Sequence, residues 1–409
     1  MKIRSITYFC NPGWPLDEKR LRLAGDFLTE AKAAFEQAGY EVQTTRLATI
    51  PFPNLLDKLD ETPELARTLS QILPEIGIAY AALGPALNKH PESYAVIPEA
   101  IAASKNVFFS GMMADPKHGL SLAAVRACAD VIVRTAPLDP NGFANLNFAA
   151  LANVPPGTPF FPAAYHEGTE PAFALATEAA DLAVGAFTSA KTISEGRTTM
   201  VAALEEHART LVKVADFLKF KHQIRFGGID YSLAPFPEES RSLGTAFERM
   251  GVSAVGLHGS LAAAAILTEA IERARFPRAG FSGLFLPVLE DAILARRAAE
   301  KILSVKDLLL YSAVCGTGLD TVPLPGDVTR DQLTALLLDL SALALRLDKP
   351  LTARLMPVPG KKAGDVTNFD FGFFANSRVM ALDAIPLESP LSGSETFSLQ
   401  SRLRRTDHE

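Results

Sequence analysis

Over 2–8 the apolar residues Ile3, Ile6 and Tyr8 are interleaved with Lys2, Arg4, Ser5 and Thr7, and the whole of 2–10 reads as a β-strand. Over 18–38 the apolar positions recur at helical spacing and stop at Gly39, and 40–46 returns to strand character. The exchange continues with a helix around 63–76, a short strand over 78–83 that ends at Gly84-Pro85, a helix over 94–104, a strand over 106–109 and a helix over 120–134. Residues 171–188 and 194–222 read as long amphipathic helices, the second opened by a Ser-Glu-Gly cap region. A strand over 226–233 runs into Ala234-Pro235-Phe236-Pro237, which can continue neither sheet nor helix. In the last third, helix 261–274 leads to strand 281–286, helix 291–303 to strand 308–314, and helix 330–347 to strand 351–356. Such alternation predicts an α/β protein with a mainly parallel sheet and helices packed outside it. No internal repeat or Gly/Ser linker divides the chain, so one domain is expected over 1–386, followed by a Ser-rich, charged tail over 387–409.

Composition narrows the class. Hydrophobic residues make up 48% of the 409 positions and charged residues 21%, enough apolar surface for a large core. A net charge of −6 argues against nucleic acid or an anionic membrane as partner. The one basic cluster, Arg402, Arg404 and Arg405, reads as a solvated end. The three cysteines, Cys10, Cys128 and Cys315, lie far apart and form no CxxC, which disfavours a cysteine zinc site or a disulfide framework. The chain opens directly on a strand pattern without the apolar core of a signal peptide, and the apolar stretch 333–347 is short and broken by Asp339 and Arg346. The expectation is a cytoplasmic protein.

Chemistry-bearing residues gather where the predicted strands end, the edge at which α/β folds bind ligands. The densest window is 311–327: Cys315, Gly316, Thr317, Gly318, Asp320 and Asp327 offer a thiol, two carboxylates and a glycine-rich backbone able to hold an anion. Its plainer reading is a Gly/Pro turn before the next helix, capped by Asp327. Glu290 and Asp291 follow the predicted strand at 281–286 and suit either a helix start or a ligand or metal carboxylate. His258 and Ser260 precede an Ala-rich helix, where free amides suit a phosphate or carboxylate, although Ser260 also suits a plain N-cap. His166 and Glu167 end an apolar segment, as an acid/base pair, a metal ligand or a structural pair would. Asp230 interrupts an apolar strand and requires a partner, either an arginine such as Arg354 or a ligand. No P-loop, GxSxG elbow, HExxH or EF-hand loop occurs.

Taken together, Gly142 to Phe148, Asp230 to Pro237, Leu286 to Asp291, Tyr311 to Asp327 and Ala353 to Lys361 resemble the DUF711 family, also called UPF0210, over nearly the whole chain and in its shorter branch. The resemblance implies a fold similar to pyruvate formate-lyase: a ten-stranded barrel of two five-stranded parallel halves set antiparallel, helices outside, with a central loop carrying a cysteine and Cys315 near it. It does not carry over the radical reaction. A glycyl radical needs a C-terminal glycine, and the nearest string here, Ser377 to Leu382, has none; the adjacent cysteine pair is also missing. The expected function is a non-radical enzyme acting on a small anionic metabolite in the barrel, or else a ligand-binding regulator without turnover. In the enzyme reading Cys315, Asp320, His166 and Glu167 are the catalytic candidates. Gly316, Thr317, Gly318, Asp230, His258, Ser260 and Arg354 would bind the ligand; Glu290, Asp291 and Asp327 could hold a divalent cation. The expected assembly is a homodimer.

Overall fold

A computed structural model describes residues 1–402. Its strands are β1 (Lys2–Cys10), β2 (Val42–Thr49), β3 (Tyr80–Ala86), β4 (Val107–Asp115), β5 (Gly119–Ser121), β6 (Phe148–Ala152), β7 (Ala172–Glu178), β8 (Arg225–Ala234), β9 (Gly318–Pro325), β10 (Leu351–Val358) and β11 (Thr396–Phe397). Its helices are α1 (Glu18–Gln37), α2 (Thr62–Glu75), α3 (Ile97–Ala102), α4 (Leu122–Thr135), α5 (Ala180–Thr188), α6 (Ile193–His222), α7 (Leu243–Arg249), α8 (Ser260–Arg273), α9 (Ala292–Ala299), α10 (Val305–Tyr311) and α11 (Arg330–Leu347). The fold is mixed α/β, as the alternation predicts.

All these strands join one sheet, ordered β8-β7-β1-β2-β3-β4-β6-β10-β9, with β5 on β4 and β11 on β5. Strands β1, β2, β3, β4 and β6 run parallel to one another. The pairs β7/β8 and β9/β10 are also parallel, but β7 meets β1 and β10 meets β6 antiparallel. Two blocks of opposite direction therefore share one sheet. The regular ladder is not closed. Between β8 and β9 lies the irregular segment 277–288, held by single parallel bridges Ile229–Arg278 and Pro287–Asp320 and by Phe285 N–H donating to Ser232 O at 2.8 Å.

Several elements differ from the reading of the sequence. Residues 172–178 are strand β7 rather than the front of a helix: all seven side chains are buried, and an apolar run buried on both faces carries no period to distinguish the two. Residues 305–311 form α10 where 308–314 suggests a strand, because Ser304 and Asp307 make a reciprocal capping box that starts a helix. The strand of that region is instead β9, inside the window that reads as a loop. Strand β6 goes unrecognised, 281–286 is not a regular strand, and α6 is capped by Thr192, whose side chain accepts from Glu195 N–H.

The main hydrophobic core draws on residues from Ile3 to Met380. On the other side of the sheet small residues prevail: Ala48, Ala82, Ala172 and Ala174 form a separate cluster with Phe9, Phe161 and Ala164. Those alanines leave space for the β6–β7 connection to lie against the sheet. Thr7 Oγ1 donates to Pro159 O at 2.9 Å, and His166 N–H to Thr49 O at 2.8 Å. This segment fills one part of the inner side; the remainder is a cavity. Residues 396–397 pair with β5, and Arg402 N–H donates to Arg346 O at 3.0 Å, so the tail docks on the sheet edge and α11. Arg404 and Arg405 lie outside the described residues.

Candidate functional site

Two irregularities in the sheet accompany the charges of this cavity. Ile3, Ile6 and Tyr8 all face the main core, three residues separating the first two where strict alternation would allow two or four. The register of β1 against β7 shifts between Ile3 and Ser5, and the extra residue leaves Arg4 and Ser5 together on the inner side. Opposite Arg354 on β10, Leu319 pairs with Ala353 and Val322 with Leu355, so Asp320 and Thr321 together face one residue. Thr321 takes φ +40°, a region uncommon for a β-branched residue, and its N–H donates to Asp320 Oδ1 at 3.0 Å. Asp320 alternates from Leu319 onto the face of Arg354, and Thr321 is the residue the bulge adds.

Arg354 holds Asp320 as a fork, Nε to Oδ1 at 2.5 Å and Nη2 to Oδ2 at 2.9 Å, and Nη2 also donates to Glu290 Oε1 at 2.7 Å. Arg4 donates to the other oxygen of Glu290 and lies 3.6 Å from Glu178 Oε2. Glu178 in turn accepts from Arg241 at 2.8 Å and from Gln43 Nε2 at 2.7 Å. The result is a chain of alternating sign: Arg241, Glu178, Arg4, Glu290, Arg354, Asp320. Burial works to raise the Glu290 carboxyl, but Arg4 and Arg354 together outweigh it and hold it below the usual range. For Asp320 burial prevails over Arg354 and pushes the carboxyl up. Arg354, despite burial, is driven above its ordinary value by Asp320 and Glu290 and stays charged.

Arg46, from β2, stands outside this chain. Its Nε donates to Thr44 Oγ1 at 2.9 Å, and its guanidinium lies 5.0 Å from the ring centre of Phe161 and 5.8 Å from that of Tyr80. Among the described residues no carboxylate pairs with it, while Glu290 and Asp320 are taken by Arg4 and Arg354. Burial, with Arg4 and Arg354 as like-charged neighbours, lowers its pKa from 12.5 to about 9. The cavity these groups line has a volume of about 790 Å³. Phe108, Phe160, Phe161, Phe285 and Tyr80 complete its wall. Lys105, Asp139, Leu138, Phe143, Phe371 and Phe373 form its solvent-facing mouth.

The cavity lies at the amino ends of β2, β3 and β4 and the carboxyl end of β8, because the two blocks of strands run in opposite directions. Of the residues singled out in the sequence, the structure brings Asp320, Glu290 and Arg354 together here. Asp230 is fully buried elsewhere; its partners are neither Arg354 nor any side-chain cation but Ser232 Oγ at 2.5 Å and the N–H groups of Phe281 at 2.7 Å and Ser282 at 2.8 Å. Burial outweighs these bonds and raises its pKa to about 6. Asp291 is a structural hinge between two helix starts, accepting from Ser242 Oγ and from the N–H groups of Leu243, Gly244, Ile293 and Leu294. Both its oxygens are engaged, which leaves little capacity for a cation.

Cys315 is fully buried in the main core, its thiol pushed up by burial, and it does not line the cavity. The segment lying against the inner face, 155–166, contains no cysteine. Gly316 packs against Gly283, Thr317 Oγ1 donates to Leu284 O, and Gly318 opens β9. Asp327 is exposed in a turn, and α11 is capped by Thr329 instead. His258 is exposed; Ser260 is buried, accepting from Gly256 N–H at 3.1 Å and donating to Leu257 O at 2.7 Å. His166 is buried with Nε2 unpartnered, its pKa lowered by burial, and Glu167 is exposed. Among the described residues no three His, Cys, Asp or Glu side chains converge as a metal site. A smaller cavity of about 350 Å³ near Phe9 and Arg225 also includes Arg278, whose Nη2 is taken by the carbonyls of Ile271, Glu272 and Ala274.

Sequence reasoning missed Arg4, Arg46 and Glu178. One signal was available: Arg46 closes the strand-like run 40–46 and is followed directly by the apolar Leu47 and Ala48.

A bulged, two-direction α/β sheet with a charged, aromatic-walled cavity on its inner face defines an α/β protein with a ligand-sized internal site. The chain belongs to the DUF711 family, described as "Uncharacterised ACR", whose model matches residues 1–376. It is 30% identical over 386 residues to a UPF0210 protein of Pyrobaculum aerophilum, covering 89% of this chain and 85% of the relative. A UPF0210 protein of Acetivibrio thermocellus is 28% identical over 380 residues, covering 88% and 84%. No described helix is long and apolar enough to cross a membrane.

Proposed function

We propose that this protein is a cytoplasmic enzyme that binds a small metabolite through its carboxylate or phosphate and moves a proton on it without radical chemistry. The observation that carries this reading is Arg46: a guanidinium inside the cavity, without a carboxylate partner among the described residues and with its charge opposed by two neighbouring guanidiniums. An anion delivered by a ligand would supply the missing counter-charge. Asp320 and Glu290 share Arg354 but are pushed in opposite directions, the pattern by which a pair of carboxyls divides into a proton carrier and a fixed charge. In this reading Asp320 carries the proton, Glu290 stays ionised as the anchor of Arg4 and Arg354, and Arg354 positions Asp320. We further read 277–288 as an irregular tenth strand, closing a barrel of two five-stranded halves similar to that of pyruvate formate-lyase.

The test is a thermal-shift screen of small carboxylates and phosphates against the wild type and Arg46→Met, since a ligand that binds only the folded form raises Tm. A compound whose stabilisation disappears in Arg46→Met supports the reading. Stabilisers that act equally on both proteins would overturn it. Asp320→Asn then separates turnover from binding: it should retain the ligand and lose the reaction.

A further inference from the structure

The walls of the cavity narrow the ligand further. We propose that it is an aromatic monocarboxylate: a single carboxylate carried by a flat, unsaturated ring. This rests on the anion reading above and extends it.

Charge sets the number of acidic groups. With Asp320 in its ionised form, the form ready to accept a proton, Arg4 and Arg354 are neutralised by Glu290 and Asp320, and of the arginines lining the cavity Arg46 is left over. One negative charge balances the wall. A second would lie beside carboxylates already in place, with only Lys105 to offset it at a mouth that also holds Asp139.

Rings set the rest. Tyr80, Phe108 and Phe161 form an edge-to-face cluster, with ring centres 5.4 Å apart for Tyr80–Phe108 and 5.5 Å for Phe108–Phe161. Arg46 lies over two of them, which orders its guanidinium plane and leaves the edge to fork a carboxylate. At the mouth a second set gathers: Phe143, Phe371 and Phe374 lie within 5.8 Å of one another, and Phe371 is 5.4 Å from Phe373. Phe371 and Phe373 are nonetheless 39% and 44% exposed. Apolar rings left wet at the entrance of a cavity gain from a guest that covers them, and ring faces and edges favour another flat π-system over a saturated group of equal size. A small hydrophilic anion such as phosphate would engage Arg46 and leave all of this surface in water.

Calorimetric titration with phenylacetate, cyclohexylacetate, acetate and inorganic phosphate tests the proposal. Phenylacetate should bind about five- to ten-fold more tightly than cyclohexylacetate, which matches its size but not its flatness. Acetate and phosphate should bind more weakly still. Arg46→Met should weaken phenylacetate about ten-fold or more, and Phe371→Ala, at an exposed position, should weaken phenylacetate while leaving acetate unchanged. If cyclohexylacetate, acetate or phosphate binds as well as phenylacetate and still depends on Arg46, the ring requirement is overturned and the anion reading stands. If no probe binds at millimolar concentration, or binding ignores Arg46, both fall.

Discussion

Replacing Arg46 with methionine should make the ligand-free protein more stable, not less. Methionine keeps most of the length and apolar stem of the side chain but removes its charge. Moving an arginine from 12.5 to about 9 amounts, at about 1.4 kcal/mol per pH unit, to a penalty of up to about 5 kcal/mol at neutral pH. The sign follows from the direction: the fold disfavours the cation, so the penalty is present at every pH below about 9. Two corrections shrink it. The side chain is only partly buried, and water in the cavity screens its edge, so about half survives. The ring contacts with Phe161 and Tyr80 and the bond to Thr44 return about 1 kcal/mol, which the variant loses. A net gain of about 1–2 kcal/mol remains, equivalent to a rise in Tm of about 2 °C for a chain of this size. Scanning calorimetry at pH 7 in chloride buffer, with no phosphate or carboxylate present, measures it directly. A loss of several degrees would mean that the folded protein already satisfies Arg46, and the reasoning from an unanswered guanidinium would be wrong.

Three other outcomes follow from buried groups. Asp230, raised from 3.8 to about 6 by burial, stabilises the fold in its protonated form; that contribution is complete below about pH 4 and is lost as pH rises through 6. Urea titrations should therefore show the wild type losing about 2 kcal/mol relative to Asp230→Asn between those limits, and a difference that does not change with pH refutes it. Asp291→Ala removes the acceptor of Ser242 Oγ and four backbone N–H groups at the starts of α7 and α9, at a cost of about 3–5 kcal/mol; a urea midpoint close to wild type would show these ends capped by other means. Cys315, with its thiol raised by burial, should alkylate orders of magnitude more slowly in the native protein than in urea. Equal rates would place the thiol at an accessible site.

Much of the fold is visible in local pattern because most elements have a period: α11 begins and ends where helical spacing places it, and β1 spans Lys2 to Cys10 as its strand-like pattern predicts. The failures have two causes. Strand β7 is buried on both faces and so has no alternation to detect, and α10 is set by its Ser304–Asp307 cap, a signal stronger than the apolar run that follows. For the site the limit is different. Glu290 and Asp320 stand out because they follow strand-like and glycine-rich windows, but Arg4 looks like an ordinary outward polar residue, since alternation assigns it to the wrong face. Only the bulge between Ile3 and Ser5 reverses that, and a bulge arises from how β1 meets β7, some 170 residues away, rather than from β1 itself. The bulge in β1 sets Arg4 and Ser5 side by side on the inner face, and the bulge in β9 places a threonine at positive φ next to Asp320. A sheet under selection for stability alone gains little from burying arginines and carboxylates on its inner face beside two bulges. The placement is accounted for if the inner face holds a charged guest, whose counter-ion, Arg46, needs no bulge because it already alternates inward on β2.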